Sequence, residues 1–476
     1  MSLSSTLTTA LTGLTASARA ADLVASNIAN LQTETYGHRS LSLSSAQYGG
    51  GVVVNGVTRA TDPILTGDRR LAQAAAGAED LHLAFYKKME TAIGLPGSGT
   101  SLSDRISALG VALETASLSP SSAAGLTGVL YATQDLARGL NELTSQTQLS
   151  RVLAEQSIAR DVQQLNESLA RVAAINRQIP RLTAMRQDIS GLVDQRQALI
   201  DQIASIVPVR EAAGQGGAIT LYTTGGVALL DGHAAELSFI PSGTIAADSG
   251  TLSGLTLNGR PISTSEQGPI GGGSLSAAFH LRDVSAPELQ QKLDTVAADL
   301  IRRFEDADPD TAIAGVAALL SDGGQRFNAA LQNGLAGRIS ANPAADPDQG
   351  GELWRIWSGM AAPGPAEASD SRILTSLADS LILQRVTPSG NFSPGQRSAT
   401  DLAGVLFSLV ATERLSAEGR AGFASGQLNL LRQREAEAGV DSDNEMQALL
   451  RIETAYAANA RVIQAADDML QQLLRI

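Results

Sequence analysis

Apolar residues recur in alternating steps of four and three near both ends of the chain. Leu7, Leu11, Leu14, Ala18, Ala21, Ala25 and Ile28 form one series. Leu449, Ile452, Tyr456, Asn459, Ile463, Ala466, Leu470 and Leu473 form the other. A mean step of about 3.5 residues is the period of a coiled-coil stripe, so each series predicts a helix with one narrow apolar face. The three alanines of the first series allow a close neighbour, and Asn459 is a polar seam residue of the kind that fixes register. A narrow stripe cannot bury itself. Each end must therefore pack on the other end, on other subunits, or on an ordinary globular core, and spacing alone leaves these open.

The interior changes texture several times. Gln47 to Thr66 is rich in Gly and Val and reads as a short strand or extended arm. Asp68 to Gly94 and Ser103 to Ser117 have helical patterns, separated by a turn carrying Pro96, Gly97 and Gly99. The longest helical stretch runs from about Ala123 to Ile206, with Ile158, Val162, Leu165, Leu169, Val172, Asn176 and Ile179 in the same alternation. Pro180 is expected to kink or break it, and Ile189, Leu192, Leu199, Ile203 and Ile206 continue beyond.

From Val209 to Ser276 the chain is Gly-rich and β-prone. Ile219–Thr223, Val227–Leu230, Glu236–Ile240 and Leu252–Leu257 read as strands, with turns at Gly225-Gly226, Asp231-Gly232 and Asn258-Gly259. Helix returns from Leu275 to Asp306. Pro309 to Ser369 is irregular, and Asp370 to Ala438 is helical apart from a loop around Pro388 to Pro394.

The expected fold is mainly α: N- and C-terminal helices forming a coiled coil, a long-helix bundle domain and a small inserted β domain. The expected segments are 1–45 (terminal helix and arm), 46–208 (helical rod, first part), 209–276 (β insert), 277–306 (return helix), 307–369 (irregular insert), 370–438 (helical domain, last part) and 439–476 (C-terminal helix).

Composition sharpens this. Aromatics are only 3% of 476 residues, so a core must be built from Leu, Ile, Val and Ala, which suits helices side by side. A net charge of −13 argues against nucleic-acid binding and against anionic membrane surfaces. With no cysteine, disulfides, thiol nucleophiles and thiolate metal sites are excluded. No run of 18 apolar residues is present for membrane insertion. Met1 to Ala21 lacks the basic start and continuous apolar run of a secretory signal. These tests alone imply a cytoplasmic protein, and they miss any export route that uses neither signal.

Candidate chemistry is sparse. His38, His82, His233 and His280 are not at metal-site spacing and read as surface or packing residues. Asp306, Asp308 and Asp310 alternate like a calcium loop, but Thr311 and Ala317 replace its essential Gly and Glu, so a solvated helix end is expected. Gly271-Gly272-Gly273 lacks a following Gly-Lys-Ser/Thr and reads as a flexible joint. Trp354 and Trp357 suit a local core. No catalytic, cofactor or metal residues are assigned, and no enzyme signal rises above background.

Both ends resemble the flagellar axial proteins of the rod, hook and hook-associated families. Leu11-Thr12-Gly13-Leu14, Ser26-Asn27-Ile28-Ala29-Asn30 and Tyr36-Gly37-His38-Arg39 resemble N-terminal motifs of that family, although Gly37 here follows Tyr36. Ala438-Gly439-Val440-Asp441, Glu445-Met446, Ala455 to Ile463 and Ala466 to Leu470 resemble its closing signature. Leu192 to Leu199, Gly273-Ser274-Leu275 and Phe279 to Asp283 are similar to segments of the hook-associated protein 1 family.

The resemblance implies a non-enzymatic structural subunit of the hook–filament junction, with the two terminal series as subunit interface. It also implies self-association in a ring, contact with the hook protein and with a second junction protein (hook-associated protein 3), and passage through the flagellar type III export apparatus to an extracellular flagellum. A cytoplasmic export chaperone would bind Leu449, Ile452, Tyr456, Ile463, Leu470 and Leu473. Alternatives are another axial subunit of the hook or distal rod, a secreted enzyme with axial-type ends, and a module binding host surfaces.

Overall fold

The computed structural model describes residues 3–33, 36–47, 50–386 and 392–474. It is mainly α, with 63% of residues helical. Helix α1 (Leu3–Ala29) leads into a hairpin arm, β1 (Arg39–Ser45) and β2 (Val52–Arg59), which carries a bulge between Ser42 and Leu43. Helices α2 (Pro63–Ile93), α3 (Leu102–Ser117), α4 (Ala123–Ala184) and α5 (Ser190–Ile206) follow.

Their starts are locally encoded. Asp62 accepts the Ile64 and Leu65 N–H groups ahead of Pro63 in the first turn of α2, and Ser101 with Asp104 forms a capping box on α3. Such caps satisfy donors that a helix leaves unpaired. Pro180 does not end α4, which runs one further turn to Ala184. Only the last turn lies beyond the proline, so most of the backbone ladder is upstream of the lost donor.

The β insert has two antiparallel sheets. One orders β3 (Val209–Ala213), β4 (Ile219–Thr223), β5 (Ala228–Asp231) and β6 (His233–Ala234); the other orders β7 (Leu237–Phe239), β8 (Leu255–Leu257) and β9 (Arg260–Ile262). Strands β3, β6 and β9 were not read from the sequence. All three lie on sheet edges, carry exposed Arg, Glu, His or Pro, and lack an apolar alternation.

The insert lies on the second half of α4. Ile158, Val162, Leu165, Leu169, Val172 and Ile179 are buried against α5 and the strands. Two asparagines on α4 clip strand edges: Asn166 exchanges two bonds with Leu237 (2.7 and 2.9 Å), and Asn176 two with Ile219 (2.6 and 3.2 Å).

The chain returns through α6 (Ser274–His280), a π turn (Leu281–Ser285) and α7 (Ala286–Ala307). Gly273 sits tightly at this return and is no loose joint: a Cβ there would lie 2.3 Å from the Ile206 carbonyl oxygen. Arg282 in the π turn is fully buried between Phe239 and Phe279. It donates to Ser253 O (2.8 Å) and Glu155 (3.3 Å), locking the insert onto α4.

Beyond α8 (Asp310–Ala314), 315–371 contains only β10 (Leu320–Asp322), β11 (Ile339–Ala341), α9 (Arg355–Ser358) and short 3-10 turns. Its apolar residues, including Leu319, Leu335, Ile339, Ile356 and Trp357, share one core with α3, the first half of α4 and α7. Trp354 packs against the same core half-exposed. Asp308 is buried and accepts the Met360 N–H (2.8 Å), so it is a packing anchor and not the expected solvated helix end. Burial pushes its carboxyl above the ordinary range.

Helix α10 (Arg372–Ile382), the short pair β12 (Arg385–Val386) and β13 (Gln396–Arg397), and α11 (Ala399–Glu437) complete the bundle, and α12 (Ser442–Leu474) ends it. Residues 387–391, which overlap the expected loop around Pro388 to Pro394, lie outside the described residues.

Candidate assembly interface

Helices α1 and α12 pair antiparallel: Gly13 lies against Asn459, and Asn27 bonds Glu445. A Cβ on Gly13 would fall 2.8 Å from Asn459 Nδ2, so the glycine is what lets the polar seam residue of α12 come close. On α12, Leu449, Ile452, Asn459 and Ile463 are half-buried and Ala466 is buried, while Tyr456 and Leu470 are more exposed. The Leu473 side chain lies outside the described residues.

On α1 the covered line differs from the apolar series. Leu7, Leu14 and Ala21 are half-buried, whereas Leu11, Ala18, Ala25 and Ile28 are exposed. The buried residues are Ala10, Ala16, Val24 and Asn27. The cause is a second neighbour: the arm also lies on α1, with the Val52 N–H donating to Thr12 Oγ1 (3.2 Å). Contact with two elements turns small residues inward and leaves the larger leucine and isoleucine outward. The pair thus carries uncovered apolar side chains on both helices: Leu11 and Ile28 on α1, and Met446, Leu450, Val462 and Met469 on α12.

At the base of the pair, Asn27 is a fully used amide. Its Nδ2 donates to Arg39 O (2.9 Å) and Glu445 Oε2 (3.0 Å), and its Oδ1 accepts from the Tyr36 hydroxyl (2.8 Å) and the Arg39 N–H (3.1 Å). Glu445 also meets His38 Nε2 at 2.8 Å. Arg39 stacks over Tyr36, and Asp194 on α5 takes both Arg39 (2.5 Å) and Arg59 (2.7 Å). Gly37 is required by crowding: a Cβ would lie 2.5 Å from Arg59 Nε. Residues far apart in the chain therefore form one polar hub fastening terminal pair, arm and helical domain together.

A second cluster adjoins it. Arg69 and Arg70 of α2 both bond Asp201 (2.8 and 2.5 Å); Arg69 also pairs with Glu435 of α11, and Arg70 with Glu211 of β3. Sequence reading noted Asn27, His38, Arg39, Asp194 and Glu445 inside motifs but missed Arg59 and this cluster. Their partners are non-local charges in a chain with 48 acidic residues, and no spacing reveals which ones meet.

A further polar assembly joins His82, Glu266 and His280. The histidines lie on α2 and α6, and Glu266 in the loop after β9. The other histidine, His233, is exposed on β6. Among the described residues no helix is long and apolar enough to cross a membrane.

Comparison with known proteins completes the site. A model described as the flagellar hook-associated protein FlgK helical domain matches residues 86–310, and one described as the flagellar basal body rod FlgEFG protein C-terminal matches 434–476. The flagellar hook-associated protein 1 of Bacillus subtilis is 22% identical over 98% of this chain and 97% of its own length.

The helical-domain match and the near full-length similarity liken this chain to flagellar hook-associated protein 1.

Its relatives are structural proteins, and its role is structural, at the hook–filament junction of the flagellum. The Escherichia coli member is 25% identical over 56% of this chain and 52% of its own length. The hook junction protein FlgK of Burkholderia pseudomallei aligns with a TM-score of 0.45 at 16% identity, over 54% of this chain and 47% of that one. The first model spans the end of α2 through α7 with the β insert, and the second spans the end of α11 and α12.

Proposed function

We propose that the chain is a non-enzymatic adapter whose copies associate in a ring between hook and filament, using the α1–α12 pair as the assembly element. The observation that carries this is the uncovered apolar surface on both helices, with Leu11 58% and Leu450 57% exposed. Side chains of this size on two adjoining helices are the kind of surface that protein contact removes from water. The subunit-interface residues are Leu7, Leu11, Leu14, Ala18, Ala21, Ala25 and Ile28 with Leu449, Ile452, Tyr456, Asn459, Ile463, Ala466, Leu470 and Leu473. Those facing inward hold the pair together; those facing outward meet neighbouring subunits, the hook protein below and the second junction protein above.

Export follows the flagellar type III route, with a cytoplasmic chaperone covering Leu449, Ile452, Tyr456, Ile463, Leu470 and Leu473 beforehand. A chain without cysteine crosses unfolded with no disulfide to reform. Deleting Ala455 to Ile476 tests the reading. Cells are expected to form hooks, lose filaments and swimming, and fail to place the truncated subunit at the junction. Normal filaments and swimming would remove the terminal pair from assembly.

A further inference from the structure

We propose that His82, His280 and Glu266 form a binding site for one divalent transition-metal ion of the zinc class. One ring nitrogen of each histidine and one carboxylate oxygen all lie within 4.8 Å of one another. Two imidazoles and a carboxylate are a donor set that zinc takes at about 2.0–2.2 Å each, leaving a fourth position for water. The donors already face one another. His82 Nε2 is 2.6 Å from Glu266 Oε1, and the two imidazole rings meet edge to face at 5.4 Å between centroids. Small side-chain rotations bring three such donors onto one ion.

The surroundings hold the donors in place. Ser285 lies 3.1 Å from His280 Nδ1 across the π turn. With Nδ1 engaged there, Nε2 is the His280 nitrogen left to coordinate. An outer hydrogen bond that sets the ring's tautomer and orientation is a regular feature of histidine metal ligands. π turns inside helices recur at functional sites.

Charge also suits a cation. Arg420, whose charge reaches Glu266, is itself paired to Glu79 at 2.8 Å, with Glu413 close by, so carboxylates outnumber it around the cluster. His82 is buried, while Glu266 and His280 are part-exposed, which gives an ion a way in.

The site joins three elements: α2, the loop leaving β9, and the end of α6. An occupying ion cross-links the exit of the β insert to the helical bundle, next to Arg282, which anchors the same return from the other side.

The test uses the untagged full chain, stripped with chelator and titrated with Zn²⁺ by calorimetry, with thermal melting alongside. One ion per chain, a raised melting temperature and no comparable response to Mg²⁺ are expected. His280→Ala and Glu266→Gln should each weaken binding at least about tenfold. His233→Ala, which removes the exposed histidine of β6, should leave it unchanged. Cobalt titration of the native chain gives a readout that needs no variant: a visible absorption band of four-coordinate nitrogen and oxygen ligands. Absence of stoichiometric zinc binding, absence of that band, or native affinity in folded His280→Ala would each overturn the site.

Discussion

The second half of α4 and the terminal pair carry apolar residues at the same spacing and end in opposite states. From Ile158 to Ile179 every apolar seam position is sealed beneath α5 and the β insert. In the terminal pair the buried apolar side chains are few and small, Ala10, Ala16, Val24 and Ala466, while the larger ones stand partly in water. The difference is the number of neighbours. A helix enclosed by a second helix and two sheets has its stripe covered on all sides. Two helices side by side share one line of contact, with only a hairpin added. Spacing shows that a stripe exists; the supply of neighbours decides whether one chain can close it.

This contrast can be broken at several points. The largest loss is expected from Arg303→Ala. The fully buried guanidinium bonds Asp299 (2.6 Å) and the carbonyls of Ser380, Leu383 and Arg397. Its removal leaves a buried carboxylate unpaired, at a cost of about 3–5 kcal/mol, read by urea unfolding.

Leu165→Ala should cost about 2–5 kcal/mol by opening a cavity, whereas Leu450→Ala should change monomer stability by no more than about 0.5 kcal/mol. Equal losses at the two sites would show that the terminal pair is as closed as the helical domain. If Leu450→Ala nevertheless abolishes incorporation at the junction, the exposed face is an assembly face.

Glu445→Gln weakens the hub by removing the charge that serves Asn27 and His38. We expect about 1.5–3 kcal/mol from lost charged hydrogen bonds. The loss should be confined to the terminal pair and arm, as faster amide exchange in α12 with little change in α4. Gly13→Val should likewise part α1 from α12 by collision with Asn459, raising protease cleavage there while the main melting transition stays in place.

The last effect is a gain. Burial raises the Asp161 carboxyl to about 6, against opposing contributions from Arg160 and Ser274. The folded state then binds its proton more tightly than the unfolded one. This contribution to stability is fully present below the ordinary aspartate range, about 4, and is lost as pH rises through about 6. Asp161→Asn should therefore stabilise the chain at neutral pH, by about 1 kcal/mol or less because the group is part-exposed. The gain should vanish near pH 4 in paired urea melts.

Much of the architecture was legible because it is written in local terms. Strand β4 was placed at Ile219–Thr223 by its alternation, and the Asn258-Gly259 turn has positive φ at both residues. Helix α3 begins at Leu102, one residue before its reading and just after the Ser101 cap. The irregular stretch after Pro309 was readable as irregular, but its packing was not. Leu319, Ile339 and Trp357 have no period, and their shared core is made by elements distant in sequence.

The sequence by itself determined the helical periods, the turns, the absence of cysteine chemistry and the matching terminal stripes, since each depends on neighbours a few residues away. Tertiary structure alone decided which face of α1 is covered, which of many acids Arg39, Arg59 and Arg70 meet, and that His82, Glu266 and His280 stand together. Those outcomes rest on contacts between residues often more than a hundred positions apart, and no local pattern encodes which partners a chain will bring within bonding distance.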